Sequence, residues 1–353
     1  MKLKNELKKL LEQNIEIVDQ EIEKLLPKKL NKKWLNYALG EPLWAYHEKS
    51  CTNAISKPSW NLLSRGGKRW RPLLMKLSHD VVGGRRDINS FFIIPELIHN
   101  GTLIIDDIED SSDNRRGKPC IHKIYGEDIA INAGNALYYL PLLLIIRNNS
   151  LNYKIKSQIY EIINEEMIKI SFGQGMDIYW HKKNSEDVTE EHYLQMCAYK
   201  TGTLARIAAK LGAILGSGNP DQVNYLGKFA ESIGVGFQIQ DDILNITNND
   251  WGKDFGEDIT EGKMTLMVIK TLKDASIEDK KRLLEILKLK TKDLNLINEA
   301  INILKKYDSL EYAKRKAKTL VYNAWCELNL VIKDNRAKKR LKMFADYLIE
   351  REI

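Results

Sequence analysis

Apolar residues recur along most of this chain at intervals of three and four, the period of an α-helix with one buried face. The first such stretch runs from Leu3 to Leu26 and is stopped by Pro27. Further stretches of the same period cover roughly 69–82, 90–110, 128–148, 152–181, 188–216, 220–248, 263–273, 279–289, 294–306, 309–333 and 336–351. Helix-breaking residues fall between them: Gly66-Gly67, Gly83-Gly84, Asn148 to Ser150, Gly216 to Pro220, and Asn248 to Gly256. No segment shows clear strand alternation, and no unit repeats at a fixed period. The pattern predicts an all-α fold: a single domain of ten or more helices with short connections.

Composition narrows the partners. Of 353 residues 43% are hydrophobic, enough for a substantial core, and 55 Lys and Arg against 48 Asp and Glu leave a net charge of only +7. The lysines are scattered, which argues against nucleic acid and fits a small anionic substrate. Cysteines at 51, 120, 197 and 326 form no CxxC pair, so neither a zinc site nor a disulfide framework is expected. No uninterrupted apolar run reaches the ~18 residues of a membrane span. The opening residues mix acids with lysines, unlike a signal or transit peptide, and a soluble cytoplasmic protein is expected.

The chemistry begins at "HNGTLIIDDIED". Asp106 and Asp110 are four apart, Asp107 and Asp110 three apart, so a helix brings their carboxylates onto one face. Such acids repel unless a cation lies between them, and oxygen-only ligands favour Mg²⁺ with substrate phosphates. A solvated acidic helix end is the alternative, although the helix dipole disfavours acids there. "GVGFQIQDDILNI" repeats the design with Asp241 and Asp242, and has Asn245 four residues after Asp241. Two apolar helices each ending in paired aspartates suggest two faces of one pocket.

Cations accompany the acids. "SRGGKRWRP" places Lys68, Arg69 and Arg71 after Gly66-Gly67, where backbone amides can approach an anion. Arg115-Arg116-Gly117 follows the first acidic cluster, Lys200-Thr201-Gly202 follows another apolar stretch, and Gln174 and Asp177 sit three apart in "GQGMD". Acids for Mg²⁺, bases for phosphates and apolar helices around them fit a diphosphate with a hydrophobic tail.

These residues resemble the trans-isoprenyl diphosphate synthases. DDIED at 106–110 and DDILN at 241–245 are similar to that family's two aspartate-rich motifs, and GGKRWRP, RRGKP, KTG and FQIQDD match its other landmarks in order over roughly residues 60 to 270. "DDIED…RRG", "GQGMDIYW" and "EDITEGK" look closest to the geranylgeranyl diphosphate synthases of eukaryotic-like type, a group that tolerates Asn at the end of the second motif. The resemblance implies a helical bundle around a central cavity, one polyprenyl synthetase domain over residues 1–353 with the N-terminal amphipathic helix (1–30) packed on it, and a homodimer. It implies a Mg²⁺-dependent condensation of isopentenyl diphosphate with an allylic diphosphate, using more than one ion per site. Asp106, Asp110 and Asp241 would hold metal, with Asp107 and Asp242 in support. Arg115, Lys200, Lys263 and Lys253 would neutralise the departing diphosphate. Gly67, Lys68, Arg71, His99 and Arg116 would hold isopentenyl diphosphate, Thr201 and Gln238 would stabilise the allylic cation, and Gln174 and Asp177 would line the cavity. The closed site must exclude water, which would quench that cation.

Chain length follows from helix geometry. Thr102 lies four residues before Asp106, one turn (~5.4 Å) along the same face, with Gly101 beside it. Short-chain members carry large aromatics near this point, whereas both residues here are small. A product longer than farnesyl, geranylgeranyl diphosphate, is expected, with transient membrane contact for its release. The alternatives are a C25 or longer product, another residue forming the pocket floor, and a non-catalytic subunit of a heteromeric synthase. A terpene cyclase would not need the cations of GGKRWRP.

Overall fold

The predicted stretches are helical in the structure, a computed structural model that describes residues 2–183, 187–247 and 255–349. Local chemistry explains where the boundaries differ. The stretch predicted at 128–148 is helical over Glu127–Tyr139, tightens into a 3₁₀ turn at Leu140–Leu142 and resumes at Leu143–Ile146. Pro141 in that turn has no N–H to give. The stretch predicted at 188–216 is two helices, Glu190–Cys197 and Thr203–Leu215, joined by a π-helical turn at Ala198–Gly202. Four helical regions among the described residues escaped the periodicity: Lys32–Leu39, capped by the Asn31 side chain on Trp34 N–H, Glu48–Leu63, which contains a π turn at Thr52–Ser56, and the five-residue helices Ile121–Tyr125 and Glu257–Glu261.

The chain divides into two compact units, residues 1–160 with 211–218, and residues 161–210 with 219–353. In the first unit the helix Ile93–Glu109 packs along the helix Glu127–Tyr139. The approach is close enough that a Cβ on Gly101 would stand 2.7 Å from the Gly134 carbonyl oxygen. The N-terminal helix Lys2–Leu25 packs on Trp70–Val81 and Ile93–Glu109. In the second unit the helix Pro220–Thr247 packs along Ser309–Asn329. Its core joins Tyr193, Cys197, Ile239, Ile243, Leu266 and Leu304.

One stretch stands out by hydropathy although Asn132 and Asn135 interrupt its apolar run. Glu127–Ile146, 20 residues with a mean hydropathy of 1.7, is long and apolar enough to cross a membrane by length and composition. Ala130, Ala133, Gly134 and Leu137 bury one side of it, whereas Ile131, Tyr139 and Ile146 are exposed on the other.

Candidate active site

In the first unit the aspartates separate by helical rotation. Successive residues point ~100° apart, so Asp106 and Asp107 cannot share a face. Asp106 and Asp110 are half-buried at the open end of Ile93–Glu109, and Asp110 caps it, its N–H donating to the Asp106 carbonyl at 2.9 Å. Asp107 turns inward with its side chain 1% exposed. There it accepts from Arg115 Nε at 2.7 Å and Nη2 at 2.5 Å, whereas Arg115 lies 3.7 Å from Asp106. Burial outweighs the guanidinium and keeps the Asp107 carboxyl above its ordinary range, and Arg115 in return is held more basic. Asp107 is thus held beneath the motif, in keeping with a supporting place, and Arg115 is bound to it.

Arg115 stands on a two-residue strand, Asn114–Arg115, paired antiparallel with Lys118–Pro119. The connecting turn is Arg116-Gly117, with φ of 52° and 72°. Left-handed conformation at both central residues is what a tight hairpin requires. Arg65, which the motif reading missed, ties this hairpin down through the Arg115 and Pro119 carbonyls, both at 2.9 Å. Arg116 is thereby delivered to the glycine loop, where it donates to the Gly66 carbonyl. A Cβ on Gly67, whose φ is 149°, would lie 3.3 Å from Arg116 Nη2.

Behind the loop a buried network sets the cations. Arg69, in left-handed conformation (φ 45°), donates to Glu96 at 2.7 Å and to Asp19 of the N-terminal helix at 3.0 Å. Asn100 donates to Glu96 Oε1 at 2.8 Å and accepts from Arg116 at 3.4 Å. A single acid and amide in the apolar run "IIPELIHNG" were the available signal for Glu96 and Asn100. Arg71 is buried with its guanidinium 4.5 Å from the Trp70 ring centroid, and Lys68 is exposed. Burial, then Arg71, Arg116, Arg69 and Arg115, hold His99 neutral, well below the ordinary histidine range. Burial together with neighbouring arginines lowers Arg116 to about 10. Crowded cations that depress one another's protonation make a site for a polyanion.

The second unit repeats the division of labour. Asp241 is half-buried near the end of Pro220–Thr247, whereas Asp242 is buried. Asp242 accepts from Tyr193 OH at 2.7 Å and from Gln238 Nε2 at 2.9 Å. Burial, then the Asp258 carboxylate, raise its carboxyl far above the ordinary range. Here too the second aspartate of the pair is the buried, hydrogen-bonded one. Gln238 accepts from Thr201 at 2.8 Å, so the two oxygens expected beside an allylic cation are fixed in one chain of hydrogen bonds.

Glycines place the cation of this half. Thr201 and Lys200 sit in the π turn Ala198–Gly202, a geometry frequent at functional sites. A Cβ on Gly173 would lie 2.4 Å from Lys200 N, and one on Gly234 would lie 2.6 Å from Gly202 Cα. Only glycine on both flanking helices admits the turn. Lys200 then reaches Asp177, Nζ to Oδ2, at 2.6 Å. Burial opposes ionisation of Asp177, but Lys200 and Lys263 outweigh it and hold its carboxyl below the ordinary range. Gln174 is half-buried one turn earlier on the same helix. Lys263 contacts Glu261 and lies 3.5 Å from Asp258. The Asn245 side-chain oxygen accepts from Asp258 N–H at 3.1 Å, so this departure from a third acid secures the turn that carries Asp258. Lys253 lies outside the described residues.

The donors fit a hard divalent cation. Hard oxygens stand half-buried at Asp106 and Asp110 in the first unit and at Asp241 in the second, and no cluster of three His, Cys, Asp or Glu closes on itself among the described residues. The chain-length residues divide. Thr102 is half-buried and donates to the His99 carbonyl at 2.8 Å. Gly101 faces Gly134 and the Tyr138 ring, so its smallness is required by the helix crossing and does not measure pocket depth.

The family model described as polyprenyl synthetase matches residues 52–304. The chain belongs to that family, an all-α fold of prenyltransferases. It is 39% identical over 301 residues to a short chain isoprenyl diphosphate synthase of Methanothermobacter thermautotrophicus, covering 84% of this chain and 90% of that one. A geranylgeranyl diphosphate synthase of Sulfolobus acidocaldarius is 35% identical over 303 residues, covering 84% and 91%. The geranylgeranyl pyrophosphate synthetase of Pyrococcus horikoshii superposes with a TM-score of 0.84 at 30% identity, covering 99% of both chains.

Proposed function

We propose that this protein condenses isopentenyl diphosphate head-to-tail with allylic diphosphates and releases geranylgeranyl diphosphate. The observation that carries the reading is the matched construction of the two aspartate pairs. In each, the first carboxylate is half-open and the second is buried and hydrogen-bonded. Asp106, Asp110 and Asp241 would hold Mg²⁺, which when bound neutralises the allylic diphosphate and makes it a better leaving group. The chain's own residues do the rest. Arg71 and Arg116, with Lys68, bind the diphosphate of isopentenyl diphosphate beside neutral His99. Lys200 takes up developing charge on the leaving diphosphate. Thr201 and Gln238 face the allylic cation with fixed oxygens until the double bond of isopentenyl diphosphate captures it, and the cation so formed loses a proton to the released diphosphate.

Product length rests on half-buried Thr102 and on relatives with that printed product. A geranylfarnesyl diphosphate synthase of Aeropyrum pernix, 32% identical over 306 residues, keeps a C25 product as the second reading. Exposed apolar rows support a homodimer: Ile131 and Tyr139 lie on one helix face, Ile168, Phe172 and Tyr179 on another. Four unpaired cysteines support a cytoplasmic location.

The test is incorporation of labelled isopentenyl diphosphate with each allylic starter and Mg²⁺, the products being dephosphorylated and sized. A Mg²⁺-dependent series ending at geranylgeraniol is expected, and chelation should abolish it. A C25 end point would move the pocket floor. No incorporation by folded protein would mark a non-catalytic subunit.

A further inference from the structure

Residues 32–47, outside the family match, carry an apolar feature that the proposed chemistry does not use. The helix Lys32–Leu39 buries Leu35 and Ala38. Its other side exposes Lys32, Lys33, Tyr37 and Leu39, where Lys33 and Tyr37 are one turn apart and Lys32 and Leu39 two. The chain then enters a short loop closed on itself. Tyr46 OH donates to the Gly40 carbonyl at 2.5 Å, and Gly40 N–H donates to the Asn36 carbonyl at 3.0 Å. At the tip of this pinned loop stand Leu43, 86% exposed, and Trp44, 88% exposed.

Two large apolar side chains held in water by a closed loop, with a half-exposed Tyr and an exposed Leu beside them, call for an occupant. Charge selects it. Residues 28–44 carry exposed Lys29, Lys32 and Lys33 against Glu41, with Lys28 paired to Glu23 at 3.4 Å. A second copy meeting this face by two-fold symmetry would set these lysines against themselves. An anionic bilayer surface offers headgroups to the lysines and an interface where Trp and Tyr partition. We infer that the Lys32–Leu39 helix and the Leu43-Trp44 loop form a docking face for an anionic lipid membrane. The use of that face, discharge of a C20 product into the bilayer, rests on the proposed function. The docking itself does not.

The experiment is co-sedimentation of the full chain with phosphatidylcholine vesicles, with and without 30% phosphatidylglycerol. Binding to the anionic vesicles is expected and weak retention by the neutral ones. L43S/W44S should lower the partition coefficient ~10-fold, because anchoring scales with buried apolar area. K32E/K33E should bring anionic binding down to the neutral level. The four positions are exposed, so melting temperature and prenyl transfer to soluble starters should be unchanged. Wild-type protein that stays in solution with anionic vesicles overturns the inference, as does equal binding by L43S/W44S. So does a change of oligomeric state in L43S/W44S by sedimentation velocity, which would assign the face to a second copy. Prenyl transfer by the wild type without vesicle binding would remove the docking face and leave the proposed function standing.

Discussion

Asp106 and Asp107 are adjacent, chemically identical, and should fail in opposite ways. Asp107→Ala removes a side chain 1% exposed and strands Arg115, itself 16% exposed, without its closest carboxylate. Breaking a buried pair by deleting one partner costs about 3–5 kcal/mol, most of it the uncompensated charge left behind. For a unit of this size that is a fall in melting temperature of roughly 6–20 °C. Asp106→Ala removes a carboxylate 21% exposed whose contact with Arg115 is 3.7 Å, so its cost should stay within about 1 kcal/mol. Its cost to turnover should be ~10²-fold or more, since on the proposed function it deletes charge facing the diphosphate. The assay pairs thermal melting of both variants with prenyl transfer at saturating Mg²⁺. Asp107→Asn belongs in the series, because it keeps the shape and removes the charge, and should melt between wild type and Asp107→Ala. Equal melting temperatures for Asp106→Ala and Asp107→Ala would refute the assignment. So would an Asp106→Ala protein that turns over normally.

Gly173→Ala puts a Cβ against Lys200 N; overpacking of this kind should cost about 1–3 kcal/mol and lower turnover by displacing Lys200, measured by melting and by kcat. Thr102→Phe should shorten the product with melting preserved, whereas Gly101→Phe should unfold the Gly134 crossing before product length can be scored; an unchanged product from Thr102→Phe would remove Thr102 from the floor. Asp177 has a lowered folded-state pKa, so its stabilisation is complete above the ordinary carboxylate pKa of about 3.9 and is lost as pH falls through the lower folded value. Denaturant titrations below pH 4 should therefore find a smaller acid loss of stability in Asp177→Asn than in wild type.

Much of this arrangement was legible because helices translate spacing into faces. The period of three and four gave the helices, and the two Asp-Asp pairs, the glycine loop and the Lys-Thr-Gly turn gave the residues. The missed helices at 32–39 and 48–63 have physical reasons. The first is eight residues long, too short to establish a period, and the second contains a π turn that shifts its faces. Gly173 and Glu96 were hidden differently: one acts by the Cβ it lacks and the other through Arg69, 27 residues away in sequence.

The roles within each pair could have been read further than the motif was. Leu97, Asn100, Ile104 and Asp107 follow one another at intervals of three and four, and all are buried. Val235, Ile239, Asp242 and Ile246 do the same on the second helix. In both cases the apolar stripe runs into the second aspartate of the pair, whereas the first lies ~100° away. The doubled aspartate therefore states two requirements in adjacent letters. On the proposed function one acid faces the diphosphate, where its charge does chemistry. The other must sit under it, where Arg115 in the first unit and Tyr193 with Gln238 in the second can hold the helix end in register. A single aspartate at either site would keep the charge and lose the anchor. That is why a motif of paired acids carries more structural information than its metal-binding reading uses.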